Sequence, residues 1–307
     1  MKMGSHAPPP QYILITGAGG FVGQQLAASL LTSSPSIHLI LADVFKPQFP
    51  KASDSISRTQ SISSNLTLPS SVSSLLSLQK WHACYLLHGI MSGGAEANLD
   101  LGLAVNIDSH RFVLDYLRKY HPGVIVVSGK TIPIPQSSYG AEKDIVETLV
   151  NDYSRRGLID GRVVRLPTVI VRPGAPSAAA SSFASGIVRE PLKGLSSVLP
   201  VSRELEMWVC SPGTVVSNLI AIKDVPKARF GIRNGRVVNL PGQILEALEA
   251  VGEKQAMALV KERRDQKVEA IVASWLARFD IYVARGLGMA EDVSLTEAVE
   301  SFARSLK

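Results

Sequence analysis

Two rhythms of apolar and polar residues run through the first half of the chain. Short apolar runs fall at 12–16 ("YILIT"), 37–43 ("IHLILAD"), 83–89 ("ACYLLHG") and 123–129 ("GVIVVSG"). Unbroken runs of that length suit strands buried on both faces. Between them lie helical patterns: "FVGQQLAASLL" from Phe21, and "LDLGLAVNIDSHRFVLDYLRKY" from Leu99. The second keeps its period for about five turns. A further long helix is expected from near Tyr139 to about Arg155, then "GRVVRLPTVIV" as a strand and its extension. Strand, glycine turn, helix and strand form a βαβ unit, from which a parallel sheet follows.

The serine-dense stretch 53–78 breaks this order. Its first half is expected to be a loop, and "PSSVSSLLSL" a short helix. After Arg172 the composition turns small and hydroxyl-rich ("RPGAPSAAASSFASG"), and shorter elements lead to the helix "LTEAVESFARSLK". The expected fold is α/β: a Rossmann-type doubly wound parallel sheet with a smaller C-terminal lobe. Residues 1–11 are a polar lead-in, 12–172 the nucleotide-binding domain, and 173–307 a substrate-binding lobe with the C-terminal helices.

A chain of 307 residues, 46% hydrophobic and 19% charged, is globular rather than disordered. Its net charge of +6 is scattered, and the densest knot, "KERRDQK", contains two acids. That reads as a solvated helix face, so no nucleic-acid partner is expected. A general positive field suits an anionic cofactor and a small acidic substrate. Cys84 and Cys210 both sit in apolar surroundings, as buried thiols of a reducing compartment do. The six histidines lack metal-ligand spacing, so no metal is expected. No signal-peptide core or eighteen-residue apolar run is present, so the expectation is a soluble, cytoplasmic protein with no membrane partner.

Candidate chemistry begins at "TGAGGFVG", which sets Gly17, Gly20 and Gly23 between a strand and a helix. Such a turn needs residues without a Cβ for the bend, for close approach to a pyrophosphate and for helix–strand packing. The helix start then presents free N–H groups to the phosphates. Asp43 closes the second strand, where a carboxylate binds adenosine ribose hydroxyls and repels a 2′-phosphate. It also suits a turn or helix cap. Val44 and Phe45 are neutral, and the balance favours NAD over NADP.

Of the seven tyrosines, only Tyr139 has a lysine four residues on. At that spacing the two side chains share a helix face. Alone they would be a solvated pair, but beneath a dinucleotide turn they gain a use. A phenol has a reference pKa of about 10 and is a poor base. The Lys143 ammonium favours the phenolate and lies in reach of the nicotinamide ribose. Ser128 ends a strand where open parallel sheets bind ligands, and its hydroxyl is placed to hold a substrate oxygen. Asn106 is a candidate to anchor a proton-relay water or to brace nearby backbone, and suits a helix-surface amide equally.

In their order, "TGAGGFVG", "LAD", the "AVNID" segment and "YGAEK" resemble the extended short-chain dehydrogenase/reductases, the NAD-dependent epimerase/dehydratase family. Within it, "SGGAEANLDLGLAVNID", "SYGAEKDIVETLVNDYSRRG", "DGRVVRLPTVIVRPGAPSAAASSFASGIVREPL" and "VASWLARFD" are similar to D-erythronate dehydrogenases, which oxidise the C2 hydroxyl of a four-carbon sugar acid. The resemblance implies NAD held by Gly17, Gly20, Phe21, Val22, Gly23, Asp43, Tyr139 and Lys143. It further implies Asn65 and Leu66 near the adenine, Ser92 against cofactor or substrate, and a homodimer through helices 99–119 and 139–155. Three departures stand out. The 128–139 segment is short for the family, "VSGK" lacks the usual paired hydroxyls, and Asn65 replaces an aspartate. Thr131 or Ser138 therefore competes with Ser128.

A small hydroxy acid needs a partner for its carboxylate. Arg172 and Arg189 are the charged candidates, each better suited to a structural ion pair, and Ser92, Ser181 and Ser182 are the hydroxyl candidates, the last two also suited to capping a helix. The expected activity is NAD-dependent oxidation of such an acid. The alternatives are an NAD-dependent sugar epimerase and a non-catalytic NAD-binding protein. Gly129 and Lys130 follow Ser128 where sugar dehydratases carry acids, which argues against dehydration.

Overall fold

The computed structural model describes residues 9–52, 55–130, 137–174, 179–230, 236–246, 254–292 and 294–304. In chain order, β1 (Gln11–Thr16), α1 (Phe21–Ser33), β2 (Ile37–Asp43), β3 (Thr59–Ser63), α2 (Pro69–Leu76) and β4 (Ala83–Leu86) come first. Next are α3 (Ser92–Ala97), α4 (Leu99–Gly102), a π-helical segment (Leu103–Asp108), α5 (Ser109–Tyr120), β5 (Ile125–Lys130), α6 (Ser138–Arg155) and β6 (Asp160–Arg165). The rest is β7 (Thr168–Val169), α7 (Ser182–Leu192), β8 (Ser197–Leu199), β9 (Glu206–Cys210), α8 (Pro212–Asp224), β10 (Val237–Asn239), β11 (Gln243–Glu246), α9 (Lys254–Met257), β12 (Val260–Glu262), α10 (Gln266–Ala273), α11 (Tyr282–Gly286) and α12 (Leu295–Arg304).

Seven strands make a parallel sheet in the order β10-β6-β5-β4-β1-β2-β3. The period of two along each strand divides its side chains between two apolar layers. Ile13, Ile15, Leu39 and Leu41 pack on Leu26 and Leu30 of α1 and Leu219 and Ile222 of α8. Leu14, Ile40, Cys84 and Val126 pack on Leu76 of α2, Val113 of α5 and Val146 of α6. Register aligns Thr16 with Leu86, Leu86 with Ser128, and Ser128 with Val163. The strand order reverses between β1 and β4, and open sheets bind ligands at the carboxyl ends flanking such a reversal.

Three elements differ from the sequence expectation. Thr59–Ser63, read as loop, is an edge strand paired with Leu39–Asp43. An edge strand needs no apolar run, and "TQSIS" has none. The long helix from Leu99 contains a π-helical segment carrying Asn106. The chain also returns to the main sheet after Arg172, adding α8 to one face and β10 beside β6. Three residues of β10 were too short a run to read.

Cys84 and Cys210 are buried free thiols. Among the described residues no helix is long and apolar enough to cross a membrane, and no His/Cys/Asp/Glu cluster has a metal-holding arrangement.

Candidate active site

A cleft of about 660 Å³ opens at the strand reversal and runs from the first glycine turn to the start of α6. At one end its surface is backbone. Gly17 has φ +67, and a Cβ there would stand 2.6 Å from the His88 nitrogen. A Cβ on Gly23 would come 2.7 Å from the Gly17 oxygen. Gly20 caps α1 without a side-chain hydrogen bond, and no acid stands in the first turn. Its leading N–H groups are left for an anion. Asp43 Oδ2 accepts from Gly19 N at 3.0 Å and Oδ1 from Val44 N at 2.8 Å. It is both a turn aspartate and a wall of the cleft. Asn65 Oδ1 accepts from Thr67 N and Oγ1, leaving buried Leu66 against the cavity. Glycines for the turn, free N–H groups and one carboxylate at the second strand fit a dinucleotide. All eleven residues singled out for the cofactor line this cleft.

The other end is built from side chains. Ser137 caps α6, its Oγ accepting from Gly140 N at 3.2 Å, and so starts the helix just ahead of Tyr139. Tyr139 and Lys143 follow one turn apart, and both line the cleft. Lys143 Nζ lies 5.8 Å from the Tyr139 ring centroid and donates to the His88 carbonyl at 3.5 Å. Burial pushes Lys143 down to about 8, with Glu142 acting in the opposite direction.

Asn106 is fully buried and does not line the cavity. Its Oδ1 accepts from Ile90 N at 2.9 Å, and its Nδ2 donates to Ile90 O at 3.2 Å and Glu142 Oε2 at 2.6 Å. Of its expected roles, this geometry is that of a backbone brace. Ser128 is 3% exposed within β5 and does not line the cleft, although Gly129 does. Thr131 lies outside the described residues. Ser138 does not line the cleft either; its N–H donates to Glu96 Oε1 at 2.6 Å.

Of the residues expected at the substrate, Ser92 and Arg172 line the cleft. Arg172 is half-buried, and no described carboxylate pairs with it; burial and then Arg189 push its pKa down. Arg189, expected at the substrate, is instead consumed elsewhere. It pairs with Glu190 at 2.5 Å and donates to the Arg172 carbonyl at 2.9 Å. Ser182 opens α7 and does not line the cleft, whereas Ser181 before it does.

Sequence reasoning missed His88, Ser137, Thr168 and Trp275, all in the cleft wall. Ser137 carried a usable signal, being a serine just before a helix start. Trp275 follows α10, far along the chain, in the "VASWLARFD" stretch that carried the resemblance, but nothing in that stretch pointed to the cleft. His88 joins the two ends. Its Nδ1 meets Thr16 Oγ1 at 2.6 Å, and its Nε2 meets Ser109 Oγ at 2.8 Å. Thr16 Oγ1 also meets Tyr85 O at 3.2 Å and Ser109 Oγ also meets Val105 O at 2.5 Å, so each ring nitrogen of His88 is held by a hydroxyl that is itself anchored to backbone. Burial and then Lys143 push His88 down to about 3.

Residues 13–230 match the model of the NAD dependent epimerase/dehydratase family. Two curated relatives, the D-erythronate dehydrogenases of Haemophilus influenzae and Cupriavidus necator, are each 38% identical, over 94% of this chain and 98% and 97% of theirs. Among solved structures, the nucleoside-diphosphate-sugar epimerase of Agrobacterium tumefaciens has a TM-score of 0.88 at 30% identity, covering 98% of this chain and 97% of that one. The L-threonine 3-dehydrogenase of Trypanosoma brucei shares the fold, with a TM-score of 0.84 at 22% identity over 98% and 97% of the two chains.

Proposed function

The chain belongs to the NAD dependent epimerase/dehydratase family, and from that premise we propose that it is an NAD-dependent dehydrogenase oxidising the C2 hydroxyl of D-erythronate, or a similar small sugar acid, to the 2-keto acid. One observation carries the substrate class: Arg172, half-buried and without a carboxylate partner, faces the same cleft as the Tyr139–Lys143 pair. A guanidinium desolvated in this way is suited to a substrate carboxylate. The names of the two 38%-identical relatives support the same reading. Both relatives are named dehydrogenases, so the epimerase and non-catalytic readings are not favoured.

In this reading NAD, when bound, supplies the acceptor for the hydride leaving C2. Tyr139 accepts the hydroxyl proton. Lys143, one turn on, holds positive charge beside the developing phenol and favours the phenolate that makes Tyr139 a base. Arg172 fixes the carboxylate, and Arg189 fixes Arg172 through its carbonyl. The polarising hydroxyl is Ser137 or Ser92, which line the cleft, before Ser128, which does not.

The organisation follows. The cofactor unit is 12–172 completed by α8 and β10, and the remainder of 173–307 shapes the substrate end. Leu99, Leu103 and Ile145 stand exposed on the long helices, which supports a homodimer across that face. The two buried free thiols support a reducing, cytoplasmic setting.

The test is NADH formation with NAD and a panel of C4 and C5 aldonic acids, wild type beside Tyr139→Phe. The expected result is turnover of D-erythronate that falls about a thousandfold in the variant, with NAD binding retained. No turnover across the panel despite intact NAD binding would overturn the sugar-acid reading.

A further inference from the structure

Within "YGAEK" the residue before the lysine is a buried acid. Glu142 is 2% exposed, and its Oε2 accepts from Asn106 Nδ2 at 2.6 Å. Its Oε1 has no hydrogen-bond partner among the described residues and rests against Gly102, where a Cβ would collide with it. Asn106 in turn clasps both the N–H and the carbonyl of Ile90. A Cβ on Gly89 would lie 2.7 Å from Asn106 Oδ1 and 3.1 Å from Lys143 Nζ, so amide and ammonium converge on the Gly89–Ile90 backbone.

We propose that Glu142 is a positioning residue of the active site, whose carboxylate, buried against Gly102, holds Asn106 and the Gly89–Ile90 backbone in place and keeps Lys143 an ammonium beside Tyr139. This rests on the reading of Tyr139 and Lys143 as the proton-transfer pair. Holding Asn106 does not by itself call for an acid, because a glutamine oxygen accepts the same bond. Burying an acid with one oxygen unsatisfied is costly, so its place here implies a use for it.

The surroundings show where that charge acts. Facing Lys143 are Tyr139 on its own helix, His88 from the segment after β4 and His110 from α5; both imidazoles are kept neutral by burial. Glu147 on α6 is held by Arg165 at 2.7 Å. Glu96 of α3 is exposed and bonded to Ser138 N, Asp100 of α4 is exposed, and Asp108 pairs with Arg111. Glu142 is thus the buried anion beside this cation among the described residues. Its charge opposes the downward push of burial on Lys143.

Two variants test this. Glu142→Gln keeps the bond to Asn106 and removes the charge. Gly102→Ala keeps the charge and drives the carboxylate away with a Cβ, at a helical position that tolerates alanine. The first readout needs neither substrate nor cofactor: NMR titration of Lys143 in cofactor-free protein labelled with 13C-lysine. The wild-type midpoint is expected at about 8. It should fall by about one unit in Glu142→Gln, and in the same direction in Gly102→Ala. The second is the pH profile of kcat, whose alkaline limb should move down by the same amount while KM for the acid stays constant. Folded variants with an unmoved lysine titration and an unmoved alkaline limb would overturn the proposal and leave Glu142 purely structural. Should Glu142→Gln fail to fold, Gly102→Ala decides. A wild type inactive on every sugar acid would defeat the substrate reading, and the lysine titration would still decide this one.

Discussion

The two ends of the cleft are built from different materials. At the glycine turn the chain offers main-chain N–H groups and the absence of side chains. At the start of α6 it offers an ammonium, a phenol, a guanidinium and a buried carboxylate held by other side chains. The first end is specified by about thirty consecutive residues of one βαβ unit. The second draws on β4, the π-helical segment, α6, the segment after β7 and Trp275. A backbone site is rigid because its strands are paired. A side-chain site is rigid only if each group is itself held, as Asn106 holds Ile90 and Arg189 holds the Arg172 carbonyl. Damage at the glycine end should therefore act through sterics, and damage at the other end through charge and position.

The largest effect expected from this contrast is at Gly17. Gly17→Val puts a branched residue at φ +67 with its Cβ 2.6 Å from the His88 nitrogen. Strain of about 1–3 kcal/mol and a filled phosphate approach should weaken NAD binding at least about a hundredfold by calorimetry. A variant that binds NAD normally would remove the backbone account of that end. Arg172→Gln should come next, with the opposite signature. Losing a charged hydrogen bond of about 1.5–3 kcal/mol should raise KM for the sugar acid roughly ten- to hundredfold. The NAD dissociation constant should not move, and an equal loss of NAD affinity would merge the two ends into one site.

What the sequence disclosed follows the same division. The βαβ unit, the glycine positions, Asp43 and the Tyr139–Lys143 spacing were readable because each is local, its chemistry set by neighbours within a few residues. The edge strand Thr59–Ser63 was not, since a half-exposed strand paired on one side needs no apolar signature. Arg172 and Arg189 look alike in sequence. Glu190 directly follows Arg189, but only packing shows that it pairs with that neighbour and that Arg172 is the one facing the cleft. Asn106 likewise carries one meaning in an α-helix and another in a π-helical segment that turns it toward Ile90. Trp275 reaches the cleft solely through the tertiary fold.

Asp43 lies between these extremes, a side chain placed by backbone. It accepts from Gly19 N and Val44 N, so its orientation is fixed before any ribose arrives. Asp43→Ser keeps a hydroxyl acceptor and removes the charge that repels a 2′-phosphate. The expected outcome is about a tenfold shift of the NAD/NADP preference toward NADP, read as the ratio of kcat/KM for the two cofactors. An unchanged ratio would mean that Val44 and Phe45, not charge, decide.

The smallest effect is expected where the two ends meet. His88 contacts Gly17 through its backbone and Lys143 through its carbonyl, and its ring stacks on His110 at 3.9 Å. His110 is fully buried, and among the described residues neither ring nitrogen makes a hydrogen bond of good geometry. Burial holds both imidazoles neutral in the folded protein, His88 down to about 3. The unfolded chain binds those protons from about pH 6.5 downward. The stability contribution is therefore fully present above about 6.5 and is lost as pH falls toward 3. His110→Phe removes one such group and its unsatisfied nitrogens while keeping a ring for the stack. Thermal melts should show equal or slightly higher stability at pH 7.5, by about 1 kcal/mol, and a shallower loss between pH 6 and 4. A variant clearly less stable at pH 7.5 would mean that the His110 nitrogens are bonded in solution. The junction would then be a polar network like the reacting end, and not a neutral packing layer beneath both.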